Sequence, residues 1–437
     1  MKGTGLEGKS VLVVTDSTLW KPGGGNYVRF STKIDALLHA GLEIDFVTSR
    51  ILDSNDVGHL KRMGFSVVKC PEPDLVSDRS GRGFSGLRAF CPEFVLGVAR
   101  RLRKACRSAR SRYCAEKPQV PNIAEVRCAA LEELVGNRLE EKAYDYVNVE
   151  YILYAGALEP LWKMPQRRRP VTMIDTHDVA YQRCAALRSR GISIPFEIDR
   201  EQEKEIIRKF DIVIAIQDED KNVFSGMCPF GTVVTLYPTV SVDPLGTNNG
   251  DQSKVVAFFG GKGYSGPNEE GVGEFLKHAW PLVRQVHPNA TFVVYGDTRD
   301  AFTGRSFPGV VWKGFVPDLR EAYRTSDVVI SPIMFGGGLK TKVLEALAYG
   351  RPVVASLHSA IGYPDSQGRG LLVVKDWRSF AESINRLFDS PGHLHEHSTW
   401  ASDYVAKYFS ESVATRDLFA AMRNHQKVRG TEAIDAE

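Results

Sequence analysis

Short unbroken apolar runs recur along the chain, and they set the reading of its fold. Val11-Leu12-Val13-Val14 is the first. A run without alternation is what a parallel strand shows when it is buried on both faces. Pro22-Gly23-Gly24-Gly25 follows as a loop, then Tyr27, Phe30, Ile34, Leu37 and Leu38 recur at helical spacing. Gly41 suits the C-terminal cap of that helix, and Ile44 to Thr48 reads as the next strand. The same order restarts later in the chain. Val255 to Phe259 predicts a strand and Gly260-Gly261-Lys262-Gly263 a second glycine loop, while Val272, Phe275, Leu276, Ala279, Val283 and Val286 mark a helix face. Thr291 to Tyr295, Val310 to Trp312 and Val328 to Ser331 predict further strands. Between the two units, Thr239 to Gly250 is rich in turn formers and reads as a linker. The pattern predicts an α/β protein of two domains, residues 1–240 and 255–395, joined by residues 241–254, with a frayed tail over 428–437.

Composition narrows the classes. The 437 residues are 43% apolar and 25% charged, ordinary globular usage that excludes collagen-like, coiled-coil and wholly disordered chains. The formal charge of +3 is too balanced to argue for a nucleic-acid partner. Seven cysteines, an odd number with no Cys-x-x-Cys spacing, read as free thiols rather than a disulfide framework or zinc ribbon. No apolar run approaches the ~18 residues of a spanning helix, and no signal-peptide core is visible, so a cytoplasmic location is expected, with any membrane contact peripheral. One local excess stands out: residues 79–112 hold nine arginines and Lys104 against one acid, Glu93. With Phe94, Val98 and Leu102 on one helical face, that segment suits an anionic membrane surface at the inner face of the membrane; a solvated helix face is the plainer alternative.

The most informative stretch runs from Phe335 to Ala355, Phe-Gly-Gly-Gly-Leu-Lys-Thr-Lys-Val-Leu-Glu-Ala-Leu-Ala-Tyr-Gly-Arg-Pro-Val-Val-Ala. Three glycines open a helix whose first turns carry Lys340 and Lys342. Free N–H groups and partial positive charge at a helix start favour an anion, and glycines let it approach the backbone. Val343, Leu344, Leu347 and Ala348 form the buried face, while Thr341 and Glu345 share another face at i, i+4 spacing. A carboxylate one turn inside such a helix is placed to grip hydroxyls attached to a bound phosphate.

This stretch resembles the donor-binding segment of glycosyltransferases with the two-Rossmann GT-B architecture, specifically the retaining family 4 (glycosyl transferases group 1). The resemblance extends over nearly the whole chain: Gly23-Gly24-Gly25, Tyr144 to Glu150, Ile174 to Val179, Gly314-Phe315-Val316 with Ser326-Asp327-Val328, and Tyr404 to Phe409 each look like a family segment. It implies two Rossmann-like domains facing across a cleft, with closing helices over 396–427 returning to the N-terminal domain. It implies a metal-independent, hexosyltransferase-like enzyme without cofactor. Such an enzyme moves a sugar with retention from a nucleotide-sugar donor to a glycan or lipid-linked acceptor, in cell-surface polysaccharide or glycoconjugate synthesis. Carried over by position, Glu345 would bond the ribose hydroxyls, Lys340 and Lys342 would lie near the diphosphate, and the Phe315–Val316 backbone would meet the base. Gly24 and Gly25 would pass close to phosphate or sugar, His177 would border the donor sugar, and Gly337, Gly338, Leu339 and Thr341 would line the donor site.

The chain departs from that pattern at two places. Many members place an acid eight positions before the Glu345 equivalent, where this chain has Gly337. The family's basic pair after the second-domain strand is represented only by Lys262. A nucleotide-sugar epimerase, or a sugar-binding protein without turnover, shares the architecture and stays open. A dinucleotide oxidoreductase is disfavoured, because the first glycine loop continues into Asn26 and Tyr27 and lacks Gly-x-Gly-x-x-Gly. Asp218-Glu219-Asp220 reads as the start of an exposed helix, where acids suit the N-terminus, and His393, His395 and His397 lie beside Asp389-Ser390-Pro391-Gly392, which reads as a surface turn; neither group is assigned a metal.

Overall fold

The computed structural model of the chain describes residues 4–21, 25–71, 120–126, 128–246, 254–261 and 266–434. Gly23, Gly24, Lys262 and the basic segment 79–112 lie outside the described residues. Among the described residues, the strands form two sheets. The first contains β1 (Ser10–Val14), β2 (Glu43–Val47), β3 (Val67–Lys69), β4 (Tyr146–Glu150), β5 (Val171–Asp175), β6 (Ile212–Ala215) and β7 (Thr232–Thr235), in the order β3-β2-β1-β4-β5-β6-β7. The second contains β8 (Val255–Phe259), β9 (Thr291–Tyr295), β10 (Val310–Gly314), β11 (Val328–Ser331), β12 (Val353–Ser356) and β13 (Leu371–Val374), in the order β10-β9-β8-β11-β12-β13. Neighbouring strands are parallel throughout.

Helices cover both faces of each sheet, which explains the unbroken apolar runs. In β1, Leu12 and Val14 face one core while Val11 and Val13 face another. In β8, Ala257 and Phe259 are divided in the same way from Val256 and Phe258. The strand order reverses between β1 and β4 and again between β8 and β11. At such a point the loops leaving the carboxyl ends of adjacent strands diverge and open a crevice. The two crevices face each other across the domain boundary.

Two local expectations change. The face from Val272 to Val286 belongs to two helices, Gly266–His278 and Trp280–Val286. Pro281 has no N–H to donate and its ring crowds the preceding turn, so the axis breaks there. The expected surface turn near residue 390 is a single-residue break. Ser390 caps the helix Pro391–Tyr408, accepting from the His393 N–H at 3.2 Å, and the three histidines ride on that helix.

The chain crosses between domains at two described places. After β7, Asp243 and Leu245 donate backbone hydrogen bonds to Ala348 and Tyr349, so this stretch docks on the second domain. Helix Pro391–Tyr408 contributes Ala401, Tyr404 and Val405 to the second domain's core. The next helix, Glu411–Ile434, returns to the first domain, as expected. Its Leu418, Phe419 and Met422 are buried with β1, β2 and β6 residues, and Tyr146 Oη donates to the Met422 carbonyl at 3.2 Å. Among the described residues no helix is long and apolar enough to cross a membrane.

Candidate functional site

Two carboxylates end the central strands of the first domain, Glu150 on β4 and Asp175 on β5, and both are fully buried. Charge without water needs a partner. The helix Gly25–His39 supplies it from two positions four residues apart, hence on one face. Arg29 donates to Asp175 at 2.6 Å; Lys33 donates to Asp175 at 2.7 Å and to Glu150. Burial pushes the Asp175 carboxyl up, but the neighbouring Arg29 and Lys33 charges outweigh it and hold the group well below the usual carboxylate range. With His177, the two acids lie close enough to hold a metal ion, but the Lys33 ammonium already bridges them.

Each strand then leaves its sheet through a residue in the left-handed region, Tyr151 at φ 69° and His177 at φ 61°. Non-glycine residues held there store strain, and such positions cluster at functional sites. The two rings stack with centroids 3.9 Å apart. Nε2 of His177 donates to Glu150 at 2.9 Å, since an ionised carboxylate only accepts, and its buried Nδ1 has no protein partner. Beyond it, the helix Ala180–Ser189 begins on a third buried acid. Glu203 accepts from the Ala180 and Tyr181 N–H groups at 2.9 and 2.7 Å, and burial pushes its carboxyl up to about 7 against those two hydrogen bonds.

The second domain meets this from the opposite side. Gly336 and Gly338 have φ of 113° and 65°, so the loop before the helix Thr341–Ala348 needs glycine at both. That helix and the helix Gly25–His39 start against each other: a Cβ on Gly25 would run into Oγ1 of Thr341. Tyr363, buried beneath, holds the second start in place, accepting from the Leu344 N–H at 3.1 Å and donating to the Lys340 carbonyl at 2.8 Å. Lys340 donates from Nζ to the Gly337 and Gly338 carbonyls at 3.2 and 2.7 Å. Burial pulls its amine down to about 8, although Asp178 and Asp220 oppose the shift.

Two cavities join at these helix starts. One, of about 340 Å³, lies between the domains, lined by His177, Asp178, Arg183, Gly337 and Gly338 among others. The other, of about 310 Å³, lies over the ends of β8 and β11, beside Gly261, Lys340 and Lys342. Gly25, Asn26, Leu339 and Thr341 border both.

Most of the residues singled out in sequence therefore converge: Gly25, His177, Gly337, Gly338, Leu339, Lys340, Thr341 and Lys342 all line the joined space. Glu345 is buried just behind it. Its two oxygens receive Lys342 Nζ at 3.1 and 2.8 Å, and Tyr323 Oη reaches it at 3.4 Å. Phe315 is exposed where β10 ends, and Val316 is packed against the second core. Asp220 of the acidic triplet turns inward instead of facing solvent; it accepts from Gln217 at 2.9 Å, and burial pushes it up to about 6. Arg29, Lys33 and Tyr363 were not foreseen. The signal for the first two was present, as basic residues flanking Phe30 and Ile34 on an apolar helix face opposite two strands that each end in an acid.

Residues 253–390 match the model of a protein family described as Glycosyl transferases group 1. No curated protein is detectably similar in sequence. Among solved structures, the chain is similar to a variant of S. aureus TarM in complex with fondaparinux, alpha-GlcNAc-glycerol and UDP. The TM-score is 0.61 at 12% identity, over 95% of this chain and 99% of that one. It is similar to the sucrose-phosphate synthase of Thermosynechococcus elongatus with TM-score 0.59 at 15% identity, over 98% and 100% of the two chains. It is also similar to Anabaena HepE in complex with UDP-glucose, with TM-score 0.59 at 15% identity, over 95% and 99%. At these identities the likeness concerns the fold, which is GT-B.

Two substitutions test the geometry. Lys33→Met strips the shared cation from two buried carboxylates and is expected to cost about 3–5 kcal/mol, read as lost urea-unfolding free energy of the full chain. A loss under about 1 kcal/mol would mean that the carboxylates find other partners. Gly25→Ala improves a helix position but drives a Cβ into Thr341. Small-angle scattering should show a larger radius of gyration, and Thr341→Ala, which removes the hydroxyl and leaves Cβ 3.2 Å away, should restore the compact value.

Proposed function

We propose that this GT-B chain, whose second domain matches the glycosyl transferases group 1 model, moves a sugar from a nucleotide-sugar donor to a glycan or lipid-linked acceptor with retention at the anomeric carbon. The observation that carries this reading is the pair of joined cavities with two helix starts and Lys340 at their junction. A nucleoside diphosphate suits the cavity over β8 and β11. Its phosphates would lie at the junction, and the sugar would extend into the cavity beneath His177. Structures similar in fold have been solved with UDP, with UDP-glucose and with a glycan-like ligand, which supports the same ligand classes here.

Bond cleavage at the anomeric carbon leaves negative charge on the diphosphate. The positive end of the Thr341–Ala348 helix and the ammonium groups of Lys340 and Lys342 would stabilise it as it develops; the Thr341, Val343 and Leu344 N–H groups are already bonded to the Leu339 carbonyl, the Lys340 carbonyl and Tyr363 Oη. Lys262, next to Gly261 in sequence, would add a third cation. The acceptor hydroxyl attacks from the face the diphosphate leaves, and its proton passes to a donor phosphate oxygen. Glu150 and Asp175 are bound to cations, so the phosphate is the base better placed for that proton. In this reading lysines and a helix dipole, rather than a metal, carry the leaving group. His177 Nδ1 accepts from a sugar hydroxyl. Glu345 meets the ribose already paired with Lys342.

The test is nucleotide release from a panel of UDP-, GDP- and ADP-sugars, with and without acceptors and with EDTA. Acceptor-dependent release that survives chelation, with an α-linked product from an α-linked donor, supports the proposal. Donor isomerised without nucleotide release would make the chain an epimerase, and binding without turnover a sugar-binding protein.

Glu345→Gln removes a charge-assisted bond worth ~1.5–3 kcal/mol. Donor affinity by calorimetry should fall about tenfold to a hundredfold with the unfolding midpoint kept, and an unchanged affinity would show that Glu345 faces elsewhere. Lys340 predicts a pH dependence. Below about 8 its amine is charged before and after an anion binds, so affinity is flat. Above 8 binding must take up a proton, so nucleoside diphosphate affinity should fall as pH rises, by up to about tenfold per unit. Lys340→Arg, charged throughout, should flatten that profile.

A further inference from the structure

The carboxylate of Asp178 occupies a position that the glycine loop of the other domain leaves open. Its location is fixed from two sides. Glu203 anchors the helix start two residues later through the Ala180 and Tyr181 N–H groups. Arg183, one turn into that helix, holds the carboxylate itself, Nε lying 3.1 Å from Oδ1 and 2.9 Å from Oδ2. One nitrogen shared by two oxygens leaves most of their lone pairs free to accept. The side chain is only 15% exposed, and the residue lines the cavity between the domains.

Gly337 explains what that carboxylate replaces. Gly336 and Gly338 must be glycine for their positive φ, but Gly337 is not among the positive-φ residues. Its backbone would accept a side chain, whereas its surroundings would not: a Cβ there would lie 2.9 Å from Asp178 Oδ2 and 3.1 Å from Asp178 Cγ. The middle glycine is therefore required by Asp178, which fills, from the first domain, the place where a residue-337 side chain would stand. Gly337 is also the position at which the sequence lacks an expected acid.

We propose that Asp178 reads the hydroxyl groups of the donor sugar, so that the acceptor-only group facing the sugar comes across the cleft instead of from the glycine loop. This rests on the donor-binding reading above. It makes sugar recognition depend on closure, because the nucleotide cavity is built largely by the second domain and this carboxylate by the first. The cation that faces it is Arg183, with Lys340 also close enough to feel its charge, and Asp220 and Glu203 are the neighbouring acids.

The experiment measures, by calorimetry on the full chain, binding of UDP, GDP and ADP and of their glucose and mannose esters. For the nucleotide that binds the wild type, the quantity read is the gain in affinity that the sugar adds. Asp178→Ala should leave the nucleoside diphosphate affinity within about twofold and lower the nucleotide-sugar affinity about tenfold to a hundredfold. Asp178→Asn, which keeps an acceptor for Arg183, should lie between. Adding Gly337→Asp to Asp178→Ala should recover part of the loss, because the space for that side chain has been freed. Equal loss for nucleotide and nucleotide sugar, no loss for either, or no recovery in the double variant overturns the proposal. A wild type that binds none of the nucleotides removes the donor-binding reading instead, and this inference falls with it.

Discussion

Two negative charges without water lie at the centre of the first domain, and the cleft is arranged around their neutralisation. Glu150 and Asp175 end adjacent strands, so the helix Gly25–His39 must present Arg29 and Lys33 directly above them. That requirement sets both the rotation and the axial position of the helix. Gly25, about one turn before Arg29, is thereby carried to the domain boundary, roughly 6 Å further along the axis. The same strand ends continue into Tyr151 and His177, whose strained backbones are held by stacking and by the Glu150 hydrogen bond. Buried ion pairs of this kind add little net stability compared with well-packed apolar groups. Their effect here is to leave the helix one seat on its sheet.

The boundary between the domains is electrostatically asymmetric. Two helix starts meet at Gly25 and Thr341, each with partial positive charge, and the half-buried Lys340 amine lies beside them. Asp178 and Asp220 are the nearby acids that offset this charge. An anion between the helix starts would relieve the repulsion of like ends, so ligand charge and domain approach favour each other.

The fold was legible because burial on both faces leaves its mark directly on the residues. Val11 to Val14, Val255 to Phe259 and Phe292 to Tyr295 are unbroken apolar runs, and each lies in a strand. The glycine loop ending at Gly338 and the lysines after it were legible as a loop leading into a helix start, and the structure places both on the cleft. What could not be read were relations between distant residues. Nothing near Arg29 in sequence says that its partner lies at position 175. Nothing near Gly337 says that its neighbour is Asp178, contributed by another domain. Tyr363 looks like any core aromatic until its hydroxyl is seen bridging Leu344 and Lys340. The break at Ala279 shows the opposite error, a periodicity that ran on through a proline able to interrupt it.

The returning helix Glu411–Ile434 also bears on how the chain assembles as it is synthesised. Leu418, Phe419 and Met422 cover apolar residues of the first sheet, and Arg423 Nη1 donates to the Thr4 carbonyl at 2.8 Å, joining two places more than four hundred positions apart in the chain. Apart from Ile216, the second domain draws its core from residues that leave the ribosome consecutively, from Tyr237 to Phe409. The first domain begins to emerge earlier but lacks one wall of its core until the helix Glu411–Ile434 is released. Domains ordinarily fold in the order in which they emerge; here the domain that starts first is the one that finishes last. Until then, part of the apolar surface of its sheet stays open to the chaperones that attend the ribosome.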